Sequence, residues 1–189
     1  PDNEFSSEPV VADFLSPDDR PFNTWEDWEM GGIAHQDPSK GLMYQIWRTW
    51  YDGGNIWVQP TVTQADPIRV ANMADVTFLS LTFDRNMHLC VSWTVRATMY
   101  LYWYDLTIEG YRTTTFSGAR SPRLTHDDKR EDANTWDDVI LFYLIQNTMF
   151  MRLQRDRFEV AYRLSDVKAN QNIMRAGMTT ANRVQVELW

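Results

Sequence analysis

Cysteine is almost missing from this sequence of 189 residues: Cys90 is the single example, so no intramolecular disulfide can form and no second Cys is there to build a structural zinc site. That usage fits a reducing compartment. Basic side chains are also short, with 18 Lys and Arg against 26 Asp and Glu and a formal net charge of −8. A protein that neutralises a row of phosphates needs clustered Lys and Arg, so nucleic acid is not an expected partner. No run approaches the ~18 consecutive apolar residues of a membrane helix. The start, Pro1 to Pro9, is acidic where a signal peptide would be basic and then apolar. A soluble protein with no membrane partner is therefore expected. The length admits one domain or two small ones, and a chain of this size buries roughly 70% of its unfolded surface, enough for a core without staples.

Against these shortages stand 9 Trp, 8 Tyr and 9 Phe with only 8 Gly between them, a composition that favours sheets and contact surfaces. Their distribution divides the chain. Residues 1–40 contain Pro1, Pro9, Pro17, Pro21 and Pro38 and ten acidic side chains beside only Arg20 and Lys40, which disfavours regular structure and a private core. This stretch reads as an extended N-terminal arm. Its large apolar groups, above all Phe22, Trp25 and Trp28, suit docking, on the chain's own body or on a neighbouring subunit.

Residues 41–189 read as an antiparallel β domain. The aromatic and branched run Gly41 to Tyr51 stops at Asp52-Gly53-Gly54-Asn55 and resumes at Ile56-Trp57-Val58-Gln59-Pro60, a hairpin whose loop residues tolerate positive φ. Val76 to Phe83, the turn Asp84 to Met87, a half-buried strand His88 to Val95, then Thr98 to Asp105 and Tyr111 to Phe116 make a four-stranded meander. Thr98 to Asp105 puts Tyr100, Tyr102 and Tyr104 on one face and Met99, Leu101 and Trp103 on the other, so neither face suits water. Residues 117–137 read as loop. Asp138 to Ile145 is apolar all round and admits a buried helix, but its eight residues rich in aromatic and branched side chains favour a strand. It leads through Gln146-Asn147 to Thr148 to Gln154, then by Arg155-Asp156 to an alternating strand Arg157 to Leu164. Superposing Asp75-Val76 on Asp138-Val139 suggests that the two meanders repeat. Residues 165–182 have weak periodicity, and Val184 to Trp189 alternates as a terminal strand. The expected fold is mainly β, its meanders curled as propeller blades or packed as a sandwich.

Chemistry is thinly represented. Glu26, Asp27 and Glu29, and the pairs Asp127-Asp128 and Asp137-Asp138, contain the carboxylates a glycosidase needs, but neighbouring acids on a strand face opposite ways and in a loop are solvated turn formers. His88, Cys90 and His126 follow no zinc spacing. There is no Gly-x-Ser-x-Gly elbow, no activated Cys and no phosphate-binding Gly-rich loop. No catalytic residue, cofactor or metal is expected. Trp47, Trp50 and Trp57 flank one hairpin, where exposed rings stack on sugars or anchor subunits. In Gln154-Arg155-Asp156-Arg157-Phe158 the Asp suits the turn backbone, while Arg155 and Arg157 can fork onto carboxylates, within the chain or in a neighbour.

Four stretches carry a resemblance: Asp37-Pro38-Ser39-Lys40-Gly41-Leu42-Met43-Tyr44-Gln45-Ile46-Trp47; Leu81-Thr82-Phe83-Asp84-Arg85-Asn86-Met87; Ser121-Pro122-Arg123-Leu124-Thr125-His126-Asp127-Asp128-Lys129-Arg130; and Asp138-Val139-Ile140-Leu141 through Gln154-Arg155-Asp156-Arg157-Phe158. In style and order they resemble small virion structural proteins of tailed bacteriophages. The resemblance implies a non-enzymatic component of the tail or of a fibre attachment point, made in the bacterial cytoplasm, present as a symmetric homo-oligomer and bound to other virion proteins. The alternative from another class is a carbohydrate-binding module that recognises host surface polysaccharide through Trp47, Trp50 and Trp57.

Overall fold

The computed structural model describes residues 28–37, 41–60, 66–84, 88–127, 138–178 and 184–189. The chain is mainly β. Its strands are β1 (Trp28–Asp37), β2 (Gly41–Asp52), β3 (Asn55–Pro60), β4 (Ile68–Asn72), β5 (Val76–Phe83), β6 (Leu89–Val95), β7 (Thr98–Asp105), β8 (Gly110–Ser117), β9 (Ala119–Asp127), β10 (Asp138–Ile145), β11 (Thr148–Leu153), β12 (Tyr162–Asp166), β13 (Ile173–Met178) and β14 (Val184–Leu188). Among the described residues the only helical piece is a 3-10 turn at Gln154–Asp156. Within each sheet, sequence neighbours pair, always antiparallel. They form three four-stranded meanders, sheet A (β1 to β4), sheet B (β5 to β8) and sheet C (β9 to β12), and a hairpin, sheet D (β13 and β14).

Turn chemistry sets these hairpins. The first loop residue between the second and third strands is left-handed in all three meanders: Gly53 (φ +56°), Arg96 (φ +55°) and Gln146 (φ +53°). A two-residue loop needs that handedness to match the twist of its strands. Each such turn is flanked by a cross-strand aromatic pair in register: Trp50 with Trp57, Trp93 with Tyr100, and Tyr143 with Phe150.

The sheets stack face on face in chain order. Ile56 and Val58 of sheet A pack with Val91 and Trp93 of sheet B; Cys90, Met99 and Leu101 from the other face of sheet B pack with Val139, Leu141 and Tyr143 of sheet C; Ile140, Phe142 and Leu144 on the far side of sheet C pack with Ile173 of sheet D. The first strand of each sheet also lies beside the first strand of the next, as the innermost strands of propeller blades do. A two-layer sandwich is thus excluded, because sheets B and C are each covered on both faces.

That double burial explains the all-apolar segment. In β10 the odd residues turn to sheet B and the even ones to sheet D, so a strand with no polar face is what the stack requires. It also corrects the half-buried reading of His88 to Val95. Cys90, Ser92 and Thr94, the small side of β6, are fully enclosed because their size lets sheet C approach.

Three further expectations are corrected. Within the expected loop 117–137, residues 119–127 form β9; residues 128–137 lie outside the described residues. Its Ser, Pro and Arg resemble loop, yet Ser121, Arg123, Leu124 and Thr125 are buried. A bulge accommodates Pro122: Ser121 sits at φ +54° where the β9–β10 register slips, as Phe78 does in β5. The polar groups tie the first strands together. Leu124 N donates to Ser80 Oγ (2.8 Å), Ile173 N to Ser121 Oγ (2.8 Å), and Arg123 Nε to the Met174 carbonyl (2.8 Å). Because β9 is the first strand of sheet C, superposing Asp75 on Asp138 sets a first strand on a second; the repeat is real in architecture but shifted by one strand. Next, the strand expected over Arg157 to Leu164 begins only at Tyr162. Arg157 and Phe158 are both left-handed, which turns Phe158 inward to meet Trp103 edge to face at 5.1 Å. Finally, the boundary placed at residue 40 falls inside a hairpin, since Trp28–Asp37 pairs along its whole length with β2. The arm expectation for residues 1–27, including Phe22 and Trp25, lies outside the described residues.

Candidate functional site

In a strand, alternate residues face opposite ways, so β2 and β3 divide their side chains cleanly. Thr49, Ile56 and Val58 are buried toward sheet B. Trp47 is on that side as well, edge to face with Phe83 at 5.4 Å. Arg48, Trp50, Trp57 and Gln59 take the opposite face, here termed the front of sheet A. There Arg48 donates from Nη2 to Gln59 Oε1 (2.9 Å) and lays its guanidinium over the Trp50 ring, 4.8 Å from the centroid. The register continues the row across the sheet, from Trp28 to Trp50 to Trp57 to Arg69. The side chain of Trp28 lies outside the described set. The three tryptophans expected to act together are therefore split: Trp50 and Trp57 share an outward face, while Trp47 belongs to the A–B core.

The front of sheet A corresponds position by position to two covered surfaces. The stacked pair Trp93 and Tyr100 (5.6 Å between centroids) is the front of sheet B and meets sheet A; the stacked pair Tyr143 and Phe150 (5.7 Å) is the front of sheet C and meets sheet B. Among the described residues, sheet A packs against sheet B and no sheet covers its front.

A second constellation joins sheets B and C. Asp105 ends β7 with 1% of its surface exposed, and accepts hydrogen bonds from Thr107 N (2.9 Å), Thr107 Oγ1 (2.7 Å), Arg112 Nη1 (3.2 Å) and Arg157 Nη2 (2.8 Å). Burial pushes this carboxyl up, but the Thr107 bonds and the two guanidinium groups more than reverse it and hold it well below the usual carboxylate range. A carboxylate so held is a poor proton acceptor at neutral pH. The turn that carries Arg157 also reaches Asp84, which accepts from Gln154 Nε2 (3.2 Å) and from His88 N (2.9 Å) and pairs with His88 Nδ1 (3.0 Å), with the His88 ring stacked on Tyr104 at 3.8 Å. Burial, and then the charge of Asp84, raises the thiol of Cys90, which disfavours the reactive thiolate.

Of the two arginines singled out in the sequence, Arg157 thus donates through one nitrogen to a carboxylate of its own chain, and Arg155 is exposed on the same turn. Asp156 accepts from Tyr162 Oη (2.7 Å), and its carbonyl accepts from Glu159 N (2.9 Å). Sequence reasoning did not find Asp105 or Arg112. The signal was the Asp-x-Thr at the end of β7, which marks a side chain that bonds its own turn. Among the described residues no three His, Cys, Asp or Glu side chains converge as a metal would need. No family model, no curated protein and no solved structure matches the chain.

Proposed function

We propose that this chain is a non-enzymatic structural subunit that works through its interfaces, a component of a tailed-phage virion in the tail or at a fibre attachment point. The observation that carries the reading is the front of sheet A: the equivalent aromatic pairs of sheets B and C are covered by a preceding sheet, while among the described residues no sheet lies over the Trp50 and Trp57 pair. Aromatic rings with a stacked Arg are what subunit contacts concentrate. The virion setting comes from the resemblance in the four stretches quoted above. In this reading the partners are further copies of the chain and other virion proteins, assembled in the bacterial cytoplasm.

Light scattering on the purified chain tests the interface reading, and mass spectrometry of purified particles tests the setting. The expected results are a defined oligomer and the chain's peptides in intact virions. A chain that stays monomeric at all concentrations, and whose tryptophan fluorescence saturates with host polysaccharide, would instead be the carbohydrate-binding module, with Trp50 and Trp57 as its platform.

A further inference from the structure

The outer strand of a sheet offers a row of unpaired N–H and C=O groups, and native proteins blunt such edges with short strands, bulges, charges or proline. Sheets A and C do so. Their outer strands β4 and β12 have five residues each, both slip register against the neighbouring strand, and β12 carries the ion pair of Arg163 with Asp166 (2.7 Å). β8, the outer strand of sheet B, is built differently. It has eight residues, keeps unbroken register with β7 from Thr98 and Ser117 to Asp105 and Gly110, and holds no Pro, Lys, Asp or Glu. Its run Thr113-Thr114-Thr115 is β-branched, which favours extended backbone. Gly118 N donates to the Ala97 carbonyl (2.7 Å), so by the antiparallel alternation Arg112, Thr114 and Phe116 bond to β7, while Tyr111, Thr113, Thr115 and Ser117 turn their backbone groups away from it. Those four residues are exposed, and the side-chain hydrogen bonds and ring contacts of β8 lie within sheets B and C. Among the described residues no strand pairs with this edge.

We propose that β8 pairs antiparallel with β8 of a second copy about a two-fold axis at Thr114, which joins two B sheets into one. This rests on the reading of the chain as a subunit that acts through its interfaces. The strand itself sets the register. Two-fold pairing keeps each side chain on its own face of the sheet, and only with Thr114 on the axis do all four outward residues find partners within β8: Tyr111 with Ser117, and Thr113 with Thr115, each pair formed twice. Charge favours the same partner and the same register. Copies of net charge −8 repel, but this strand has no acidic side chain, and its one charged residue, Arg112, is paired with Asp105 (3.2 Å) and falls opposite Phe116 of the second copy, not opposite itself. Leu106 and Ile108, exposed in the turn that leads into β8, flank the paired strands at both ends and add apolar area. The contact is isologous and closes on itself, so the assembly is a dimer or an even multiple of one.

Sedimentation of the full chain over a concentration series provides the test. Thr113→Pro removes an N–H that points away from β7, so the chain should keep its circular dichroism while its association weakens about tenfold or more. Two double variants test the register. Thr113→Lys with Thr115→Lys sets like charges opposite each other on both sides of the axis, whereas Thr113→Lys with Thr115→Glu sets opposite charges there. The first should associate about tenfold more weakly than the second. Equal association of these two variants, or an oligomer indifferent to Thr113→Pro, would mean that another surface or register joins the copies. Either result overturns the inference and leaves the subunit reading standing, and a wild-type chain that never associates overturns both.

Discussion

Trp50 in sheet A and Trp93 in sheet B hold the same place, beside a two-residue turn and opposite an aromatic partner, yet their surroundings differ completely. Trp93 is fully enclosed: its ring stacks on Tyr100 and its Nε1 donates to Met73 Sδ (3.3 Å) beneath the back of sheet A. Trp50 is half-buried beneath Arg48 and beside Trp57, with no sheet on that side among the described residues. One local design thus serves as core in one sheet and as surface in the next. The difference comes from position in the stack.

The largest test of that contrast is truncation of the enclosed ring. Trp93→Ala should cost about 3–5 kcal/mol in denaturant unfolding, the usual penalty for emptying a filled aromatic site. A loss no greater than that of Trp50→Ala would break the comparison. The clasp that binds sheet C to sheet B comes next. Asp105→Asn should cost about 1–3 kcal/mol, less than a wholly buried ion pair, because Arg112 and Arg157 remain partly solvated and can be rehydrated. Its pH signature is specific. The folded carboxyl is held below its unfolded value, so its contribution is whole above about pH 3.9 and is lost as pH falls from there through the lower folded value. Acid titration of stability should therefore be flatter in Asp105→Asn than in the wild type.

Trp50→Ala sharpens the other side of the comparison. Half-burial and one cation–π contact together amount to about 1–2 kcal/mol, so the chain should remain folded in denaturant unfolding while the association expected of a structural subunit weakens in light scattering. The smallest expected effect concerns the turns. Gly53→Ala places a Cβ at φ +56° and should cost about 1 kcal/mol, whereas Arg96→Gly, at φ +55°, should shift stability by less and in the opposite direction. Equal effects at the two sites would mean that the turns are not equivalent.

Several of these features were legible before any coordinates. The bounds of β5, β7 and β10 follow directly from alternation and turn residues, and the Asp52-Gly53-Gly54-Asn55 hairpin is where its composition places it. β9 was not legible, because Ser121, Pro122 and Arg123 carry the signature of a loop and find their partners only on β5 and β13, distant in sequence. Missing that strand also displaced the repeat by one. At the candidate site, Trp50 and Trp57 were foreseen as a pair, but Trp47 was grouped with them because hairpin position says nothing of which face meets a neighbour. Arg157 was foreseen on a carboxylate, without a sign that the partner would be Asp105, 52 residues away in sequence.

The sequence by itself determined the hairpin at Asp52 to Asn55 and the strands β5, β7 and β10, since a turn that tolerates positive φ and a two-residue alternation act over a few positions and need no distant partner. The tertiary structure alone decided which aromatic pairs became core. A strand carries its two faces wherever it lies, but a face is dry only when another sheet arrives to cover it, and that depends on where its meander stands in the stack.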